Sequence, residues 1–248
     1  MNHFAEQSSA GESTWCGGTP RMLHETEQWM VLHKPAGWHS VETRVSSGGA
    51  VLSRWITEHH PSQSPLADAG LVHRLDQCTS GCMIAAKNES MHRELRDAVS
   101  GRGGISVVKV YLALVKRGVA AQGRFELLFS SRHKGSAKMT VRRDGEGERG
   151  ECAWRVVRAA EALKGEKPNS SATTAAFDLV EVQLLGPGRR HQIRAGMAFI
   201  GHPLAGDSLY RGTPFSPPGS AGCFALHAWR VVIDGVSVED PPPYWAQH

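Results

Sequence analysis

The fold of this chain is constrained most by two strand-like segments rich in β-branched residues, which lie far apart in the sequence. Val107 to Val115 alternates so that Lys109 and Tyr111 face one side, while aliphatic side chains face the other. Phe177 to Leu185 alternates in the same way. Short helical patterns, among them Ser90 to Val99, are mixed irregularly with the strands. This mixture predicts an α+β fold with a mixed, largely antiparallel central sheet flanked by helices and loops.

Local patterns also predict the elements that connect these strands. Trp29 to His33 is predicted to form a short strand that ends in a turn at Lys34 to Gly37, because proline and glycine interrupt regular structure there. Ser90 is expected to cap the helix that it begins. Ile193 to Ile200 favours a short helix, and Phe224 to Ile233 is predicted to be the last strand.

The composition is typical of a globular protein for which an anionic partner is possible. The chain has 248 residues, a formal net charge of +4 and a pI near 8.9. A mildly basic balance is compatible with RNA but does not require it. The sequence has no apolar run near the roughly 20 residues that a membrane-spanning helix needs, and residues 1–20 lack the apolar core of a signal peptide. We expect a cytoplasmic protein without a membrane partner; an organelle is not excluded.

The cysteines do not indicate a disulfide framework. Five of them are scattered at positions 16, 78, 82, 152 and 223. Cys78 and Cys82 lie near His73, but their spacing fits no standard zinc pattern. We therefore expect free thiols and no metal.

One loop carries the residue types that chemistry needs. The segment His73 to Gly81 places Asp76 just before a Thr-Ser-Gly turn that leads into a buried, strand-like stretch. Loops on a rigid scaffold often carry function. Taken alone, however, Asp76 could simply cap a turn, Arg74 could be a surface charge, and Tyr111 could be a core aromatic.

The order of several motifs along the chain is more specific than any one of them. Between about residues 28 and 233 the chain resembles the RluA-type pseudouridine synthases, which are RNA-modifying enzymes. The segments that carry the resemblance are Lys34-Pro35-Ala36-Gly37, His73 to Gly81, Ala86-Lys87, Lys109 to Val115, Arg132 to Val141, Gly188 to Arg194, Gly201 to Tyr210 and Leu226-His227-Ala228.

The resemblance implies a pseudouridine synthase fold and an isomerase that works without a cofactor or a metal. It implies that Asp76 acts at C1′ of a uridine, as a nucleophile or as an electrostatic stabiliser. Arg194 is implied as the ion-pair partner of Asp76, because a nearby cation favours an ionised carboxylate. Tyr111 is implied to stack on the base and to transfer a proton. Arg74 is implied to hold the stack open once the base has flipped out.

The resemblance also implies a partner and a domain organisation. The partner is structured RNA, either rRNA or tRNA, bound by a protein that we expect to be monomeric. Residues 1–20 are expected to form a flexible tail, and residues 21–248 one catalytic domain without a separate S4-type RNA-binding domain. The remaining residues implied in substrate binding are His73, Thr79, Arg132, Lys138, Arg189, His191 and Gln192.

The sequence departs from the family pattern at three places. Where the family often has a threonine, this chain has Arg190, and where the family often has a second histidine, it has Gly196. Trp38-His39-Ser40 stands where the family usually has an apolar residue followed by His-Pro. These departures leave Asp76 and Tyr111 in place, so they put the substrate and the level of activity in doubt more than the reaction.

Two alternatives stay open on the sequence. The chain could be a catalytically inactive RNA-binding protein that retains the fold. It could also be a metal-dependent hydrolase, although its acidic and histidine residues lack a ligand spacing such as HExxH. The residues that this second alternative would use are His73, Asp76, His191, His202 and Asp207.

Overall fold

A computed structural model describes residues 18–43, 49–133, 135–160, 177–215 and 222–247. Within these ranges the chain forms strands and short helices. The strands are β1 (Arg21–Glu25), β2 (Trp29–Lys34), β3 (Ser80–Ala86), β4 (Val107–Lys116), β5 (Gln122–Ser131), β6 (Met139–Arg142), β7 (Glu148–Arg158), β8 (Phe177–Leu184), β9 (Leu226–Ile233) and β10 (Val236–Glu239). The α-helices are α1 (Leu52–His59), α2 (Glu89–Val99), α3 (Gln192–Phe199) and α4 (Tyr244–Gln247).

The strands form one mixed sheet. Their order is β1-β2-β3-β9-β4-β8-β7-β5-β6, with β10 paired to β9. The β3–β9 pair is parallel, and the other neighbours are antiparallel. The predicted α+β class and the mixed, largely antiparallel sheet are therefore confirmed.

The parallel contact between β3 and β9 is short and close, and it lies at the start of β3. Ser80 pairs with His227, and Gly81 pairs with Ala228. Gly81 has φ +113°, and a Cβ there would lie 2.3 Å from the Ala228 carbonyl oxygen. Only glycine fits this approach. The Thr-Ser-Gly turn is thereby held against β9, and the loop before it projects from the middle of the sheet.

Most of the predicted elements are present, with two corrections. Asn88 rather than Ser90 caps α2, because its side-chain oxygen accepts a 2.9 Å hydrogen bond from the Met91 backbone amide. The Ser90 hydroxyl instead donates to Glu94 one turn later. The strand that ends at Ile233 is not the last, since β10 and α4 follow it.

The cysteine prediction was partly wrong. Cys78, in the loop before β3, forms a disulfide with Cys223, in the segment before β9. Cys82 and Cys152 are free and buried. The pairing joins residues 145 positions apart, so no local spacing in the sequence could indicate it.

The expected N-terminal tail, residues 1–20, lies mostly outside the described residues. The Gly18 carbonyl, which is described, accepts a 3.0 Å hydrogen bond from the Trp38 indole. Within the described part of the chain, no helix is long and apolar enough to cross a membrane.

Candidate active site

Asp76 lies in a tight turn whose backbone is held from both sides. The Thr79 amide donates to the Asp76 carbonyl at 3.0 Å, which closes the turn. The buried Ser40 hydroxyl donates to the Leu75 carbonyl at 2.8 Å and accepts from the Leu75 amide at 3.0 Å. Ser40 is one of the departures from the family pattern, and here it fixes the residue that precedes Asp76.

The turn formed by Lys34 to Gly37 supports the same loop. The fully buried Lys34 ammonium donates to the carbonyl oxygens of Pro35, Trp38 and Gln77 at 3.0, 2.8 and 3.1 Å. The Gly37 amide also donates to the Gln77 carbonyl, at 2.9 Å. Because a buried ammonium must be surrounded by acceptors, this lysine fixes the turn that follows Asp76.

Helix α3 brings a guanidinium to Asp76. Nη1 of Arg194 donates to Oδ2 of Asp76 at 2.9 Å, as predicted for an ion pair. Nε and Nη2 of Arg194 donate to the two carboxylate oxygens of the buried Asp207, at 2.7 and 3.0 Å. Asp207 thus fixes the plane of the guanidinium, and one edge remains for Asp76.

Two aromatic rings also contact the Arg194 guanidinium. The guanidinium carbon lies 4.1 Å from the ring centre of Phe224 and 5.3 Å from that of Tyr210. Burial lowers the pKa of Arg194, but the hydrogen bonds and charges of Asp207 and Asp76 outweigh it, so that its pKa is raised. Arg194 is therefore a permanent, oriented cation.

His191 lies beside the pair as a neutral ring. Its Nε2 is 3.7 Å from Oδ1 of Asp76, and its Nδ1 is 2.9 Å from the Tyr210 hydroxyl. Burial lowers the pKa of His191 to about 4, although the charge of Asp76 opposes this shift. The Tyr210 hydroxyl also accepts a hydrogen bond from the Met139 amide at 2.9 Å, so it can donate its own proton to His191.

Tyr111 and Arg74 flank Asp76 in the same groove. Tyr111 is 7% exposed, and burial, followed by the negative charge of Asp76, raises the pKa of its hydroxyl. Within the described ranges, neither the Tyr111 hydroxyl nor the exposed Arg74 guanidinium has a hydrogen-bond partner. Both groups are thus available to a ligand.

The groove that holds these residues is large and cationic. It has a volume of about 720 Å³. Among the described residues of its lining, Asp76 is the one carboxylate, and it is already paired with Arg194. The cationic residues in the lining are Arg74, Arg96, Arg102, Lys109, Arg189 and Arg190.

Several predicted substrate-binding residues instead form internal hydrogen bonds. Nε2 of His73 accepts from the Ile84 amide at 3.1 Å, and burial together with nearby Lys109 lowers its pKa to about 3. The Gln192 side chain accepts from the Arg189 amide at 2.7 Å and donates to the Glu151 carbonyl at 2.9 Å.

Two further predicted residues make mainly structural contacts. Thr79 is buried in the turn that holds Asp76. The Arg189 side chain reaches the Arg149 carbonyl at 2.8 Å and Glu148 at 3.3 Å. Both still line the walls of the site.

Arg132 and Lys138 are not in the groove with Asp76. They line a second depression of about 640 Å³ between β6 and α3, which also contains Phe199. The Lys138 ammonium lies 5.3 Å from the ring centre of Tyr210, which lines this depression and contacts His191 and Arg194 of the site. The two residues therefore flank the site.

The other two departures from the family pattern have structural reasons. A Cβ at Gly196 would lie 2.3 Å from the Phe125 ring, so β5 occupies the space that a histidine would need. Arg190 donates to the Ser136 carbonyl and, at 3.3 Å, to the Met139 sulfur. Arg190 thereby holds the segment before β6 against the site.

The residues of the metal-hydrolase alternative do not converge. His202 hydrogen-bonds to the Lys116 carbonyl, away from Asp76, and Asp207 is occupied by Arg194. In the ranges that the structure covers, no group of three or more His, Cys, Asp or Glu side chains could hold a metal ion.

The supporting residues were the ones that sequence reasoning missed. Lys34 and Asp207 lie in recognised motifs, but no pattern indicated that they fix the Asp76 turn and Arg194. Ser40 appeared only as a departure. The one available signal in the sequence was a lysine directly before Pro-Ala-Gly, because an ammonium held inside such a turn needs carbonyl partners.

Comparisons with known proteins give a consistent result. The family model described as RNA pseudouridylate synthase matches residues 28–199. The chain is 30% identical over 214 residues to the ribosomal large subunit pseudouridine synthase D of Pseudomonas aeruginosa, covering 86% of this chain and 60% of that protein. For the protein of the same name from Neisseria meningitidis, identity is 31% over 237 residues, with 90% and 58% covered.

A solved structure supports the fold. Human RNA pseudouridylate synthase domain containing 1 superimposes with a TM-score of 0.64 at 18% identity, covering 91% of this chain and 84% of that one. The chain spans about 60% of the length of the curated relatives it matches. Because the family model matches more than half of the chain, the chain belongs to the RNA pseudouridylate synthase family.

Proposed function

We propose that the protein is an RNA pseudouridine synthase that isomerises uridine in structured RNA. The observation that carries the proposal is the ion pair of Asp76 with Arg194, which lines the same pocket as Tyr111, beside a groove lined by cationic side chains. Membership of the family supports the same activity. The names of the relatives make large-subunit rRNA the first substrate to test, with tRNA as the second.

The reaction breaks the N1–C1′ bond of uridine, turns the base and joins C5 to C1′. The C5 proton is lost and N1 gains a proton, so no electrons are exchanged with a cofactor. We propose that Asp76 is the group at C1′. On one route its carboxylate attacks C1′, and on the other it removes a ribose proton to give a glycal. Both routes need an ionised carboxylate, which the pairing with Arg194 supports.

We assign Tyr111 to the base. It lines the same groove as Asp76, and burial raises the pKa of its hydroxyl further above neutral pH. A stacked tyrosine can hold the detached uracil and transfer a proton close to C5. The neutral His191 ring adds a second group that can exchange a proton beside Asp76.

We assign Arg74 to opening the RNA. A uridine in a stacked helix must flip out before C1′ can reach Asp76, which costs a few kcal/mol. Arg74 is exposed and lines the groove, and its guanidinium is planar, so it can stack in the gap that the base leaves. Arg132 and Lys138, in the second depression, would contact backbone phosphates on one side.

The direct test is nucleoside analysis of RNA after incubation with the protein. Unmodified 23S rRNA and tRNA transcripts would be incubated, digested and separated by chromatography, since pseudouridine and uridine have equal mass. We expect pseudouridine to appear with an equal loss of uridine. RNA that is bound but unchanged in every pool would support the alternative of an inactive RNA-binding protein. The monomeric state and the cytoplasmic location stay predictions.

A further inference from the structure

Lys109 is a buried lysine for which the described residues supply no counter-ion. It lies on β4 two residues before Tyr111 and points to the same side of the strand. The residue is 6% exposed, and across the described part of the chain its ammonium makes no hydrogen bond or ion pair. Lys34, which is fully buried, has three carbonyl partners. Lys109 is therefore different in kind from the structural lysine of the same site.

Lys109 is a buried residue whose ammonium has no acceptor among the described residues, although its Nζ is not fully enclosed; such a cation is costly, and its surroundings increase the cost. Burial lowers the pKa of Lys109 to about 8. The nearby His73 ring accepts a hydrogen bond and carries no charge to offset the ammonium. Replacing such a group by a methionine of similar shape should stabilise a protein, so its presence calls for another reason. A bound anion would supply both the missing charge and the missing hydrogen-bond acceptor.

The position of the ammonium fits an anion next to the reacting sugar. A Cβ at Gly188 would lie 3.6 Å from Nζ of Lys109, so the ammonium reaches the groove wall where no side chain covers it. Residues two apart on a strand are separated by about 7 Å, so Lys109 lies one such step beyond Tyr111. A nucleotide carries its phosphates a few bonds from C1′, on the ribose. A uridine with C1′ at Asp76 would therefore place a phosphate within reach of Lys109.

We propose that Lys109 forms the floor of a phosphate subsite that binds a backbone phosphodiester adjoining the target uridine. This inference rests on the proposed function. Arg96 of α2 lines the same groove and adds positive charge around the subsite. Arg102, which follows α2, also lines the groove but is paired with Asp97 at 2.8 Å. Lys109 thus orients the ribose so that its C1′ meets Asp76.

The test measures binding of minimal probes rather than turnover. Wild type, Lys109→Met and Lys109→Arg would be titrated by NMR with uridine 3′,5′-bisphosphate, with uridine and with inorganic phosphate. Lys116→Met is the matched control, because Lys116 is an exposed lysine at the other end of β4. We expect Lys109→Met to weaken bisphosphate binding roughly ten- to hundredfold, the range for a charge-assisted hydrogen bond. Lys109→Arg should stay within threefold of wild type, and the Lys116→Met and uridine titrations should not change.

A stability measurement separates this role from a structural one. If Lys109 supports the fold, Lys109→Met lowers the melting temperature, whereas the subsite predicts an equal or higher melting temperature in the absence of RNA. Bisphosphate binding that is undetectable in wild type, or equal in Lys109→Met, overturns the proposal. The proposal is also overturned if inorganic phosphate binds as tightly as the bisphosphate, since the site would then bind a free anion rather than a nucleotide. Failure to form pseudouridine, with Lys109-dependent bisphosphate binding intact, would refute the proposed function and leave the subsite standing.

Discussion

The hydroxyl of Ser40 offers the sharpest test of how the Asp76 turn is held. In Ser40→Ala, the amide and the carbonyl of Leu75 both lose their partner. An unpaired buried backbone group costs about 1–3 kcal/mol, so two of them cost about 2–6 kcal/mol. Because the groove borders both residues, water can reach the gap, and we expect the lower end, about 2–3 kcal/mol.

The loss would be measured by urea unfolding, with the midpoint falling by about 1 M at an unchanged slope of about 2–3 kcal/mol/M. Turnover should fall about ten- to hundredfold, because a small displacement of Asp76 misaligns it with C1′. Ser90→Ala is the control, since that exposed hydroxyl only reaches Glu94 and should matter by less than about 0.5 kcal/mol. A change of under 0.5 kcal/mol in Ser40→Ala, with full turnover, would refute the claim that Ser40 fixes the turn.

Three further predictions concern stability. Asp207→Asn should cost about 2–4 kcal/mol in urea unfolding and abolish most turnover, because Arg194 loses the buried carboxylate that orients it; near-normal turnover would show that the orientation is unimportant. Burial lowers the pKa of His73 from 6.5 to about 3 in the folded protein. As the pH drops below 6.5, the unfolded chain therefore takes up this proton while the folded protein does not, and the free energy of unfolding decreases. This group contributes a loss of about 2 kcal/mol between pH 7 and pH 5, and His73→Gln should show a flatter pH profile. Reduction of the Cys78–Cys223 disulfide should lower the free energy of unfolding by up to about 5 kcal/mol, given the long loop that it closes; equal denaturation curves with and without reductant would contradict this.

The sheet was largely predictable because its central strands carry a local signature. The alternation in β4 and β8 follows from which side chains face the core, and periodicity records that directly. The strands β1, β5, β7 and β10 were missed. β7 reads as charged and polar, and β5 has three exposed residues among its first five. Their strand state comes from pairing with other strands rather than from their own composition; β1 and β10 pair with the adjacent β2 and β9, and β7 pairs with β5 and β8.

The site was predictable at its centre and not in its support. Asp76 and Arg194 are 118 residues apart, and only the order of the motifs linked them before the structure joined them. Ser40 and Gly196 were departures whose reasons lie in contacts with Leu75 and Phe125. Such contacts depend on three-dimensional packing, which a single sequence does not record.

The central claim is that Asp76 acts at C1′ of a uridine. The most direct test is tritium release from RNA labelled with [5-³H]uridine, comparing wild type with Asp76→Asn, because the C5 proton must leave when C5 becomes the glycosidic carbon. RNA binding by both proteins would be measured in parallel. We predict release by wild type and none by Asp76→Asn, which should still bind RNA. Equal release by both proteins would contradict the claim.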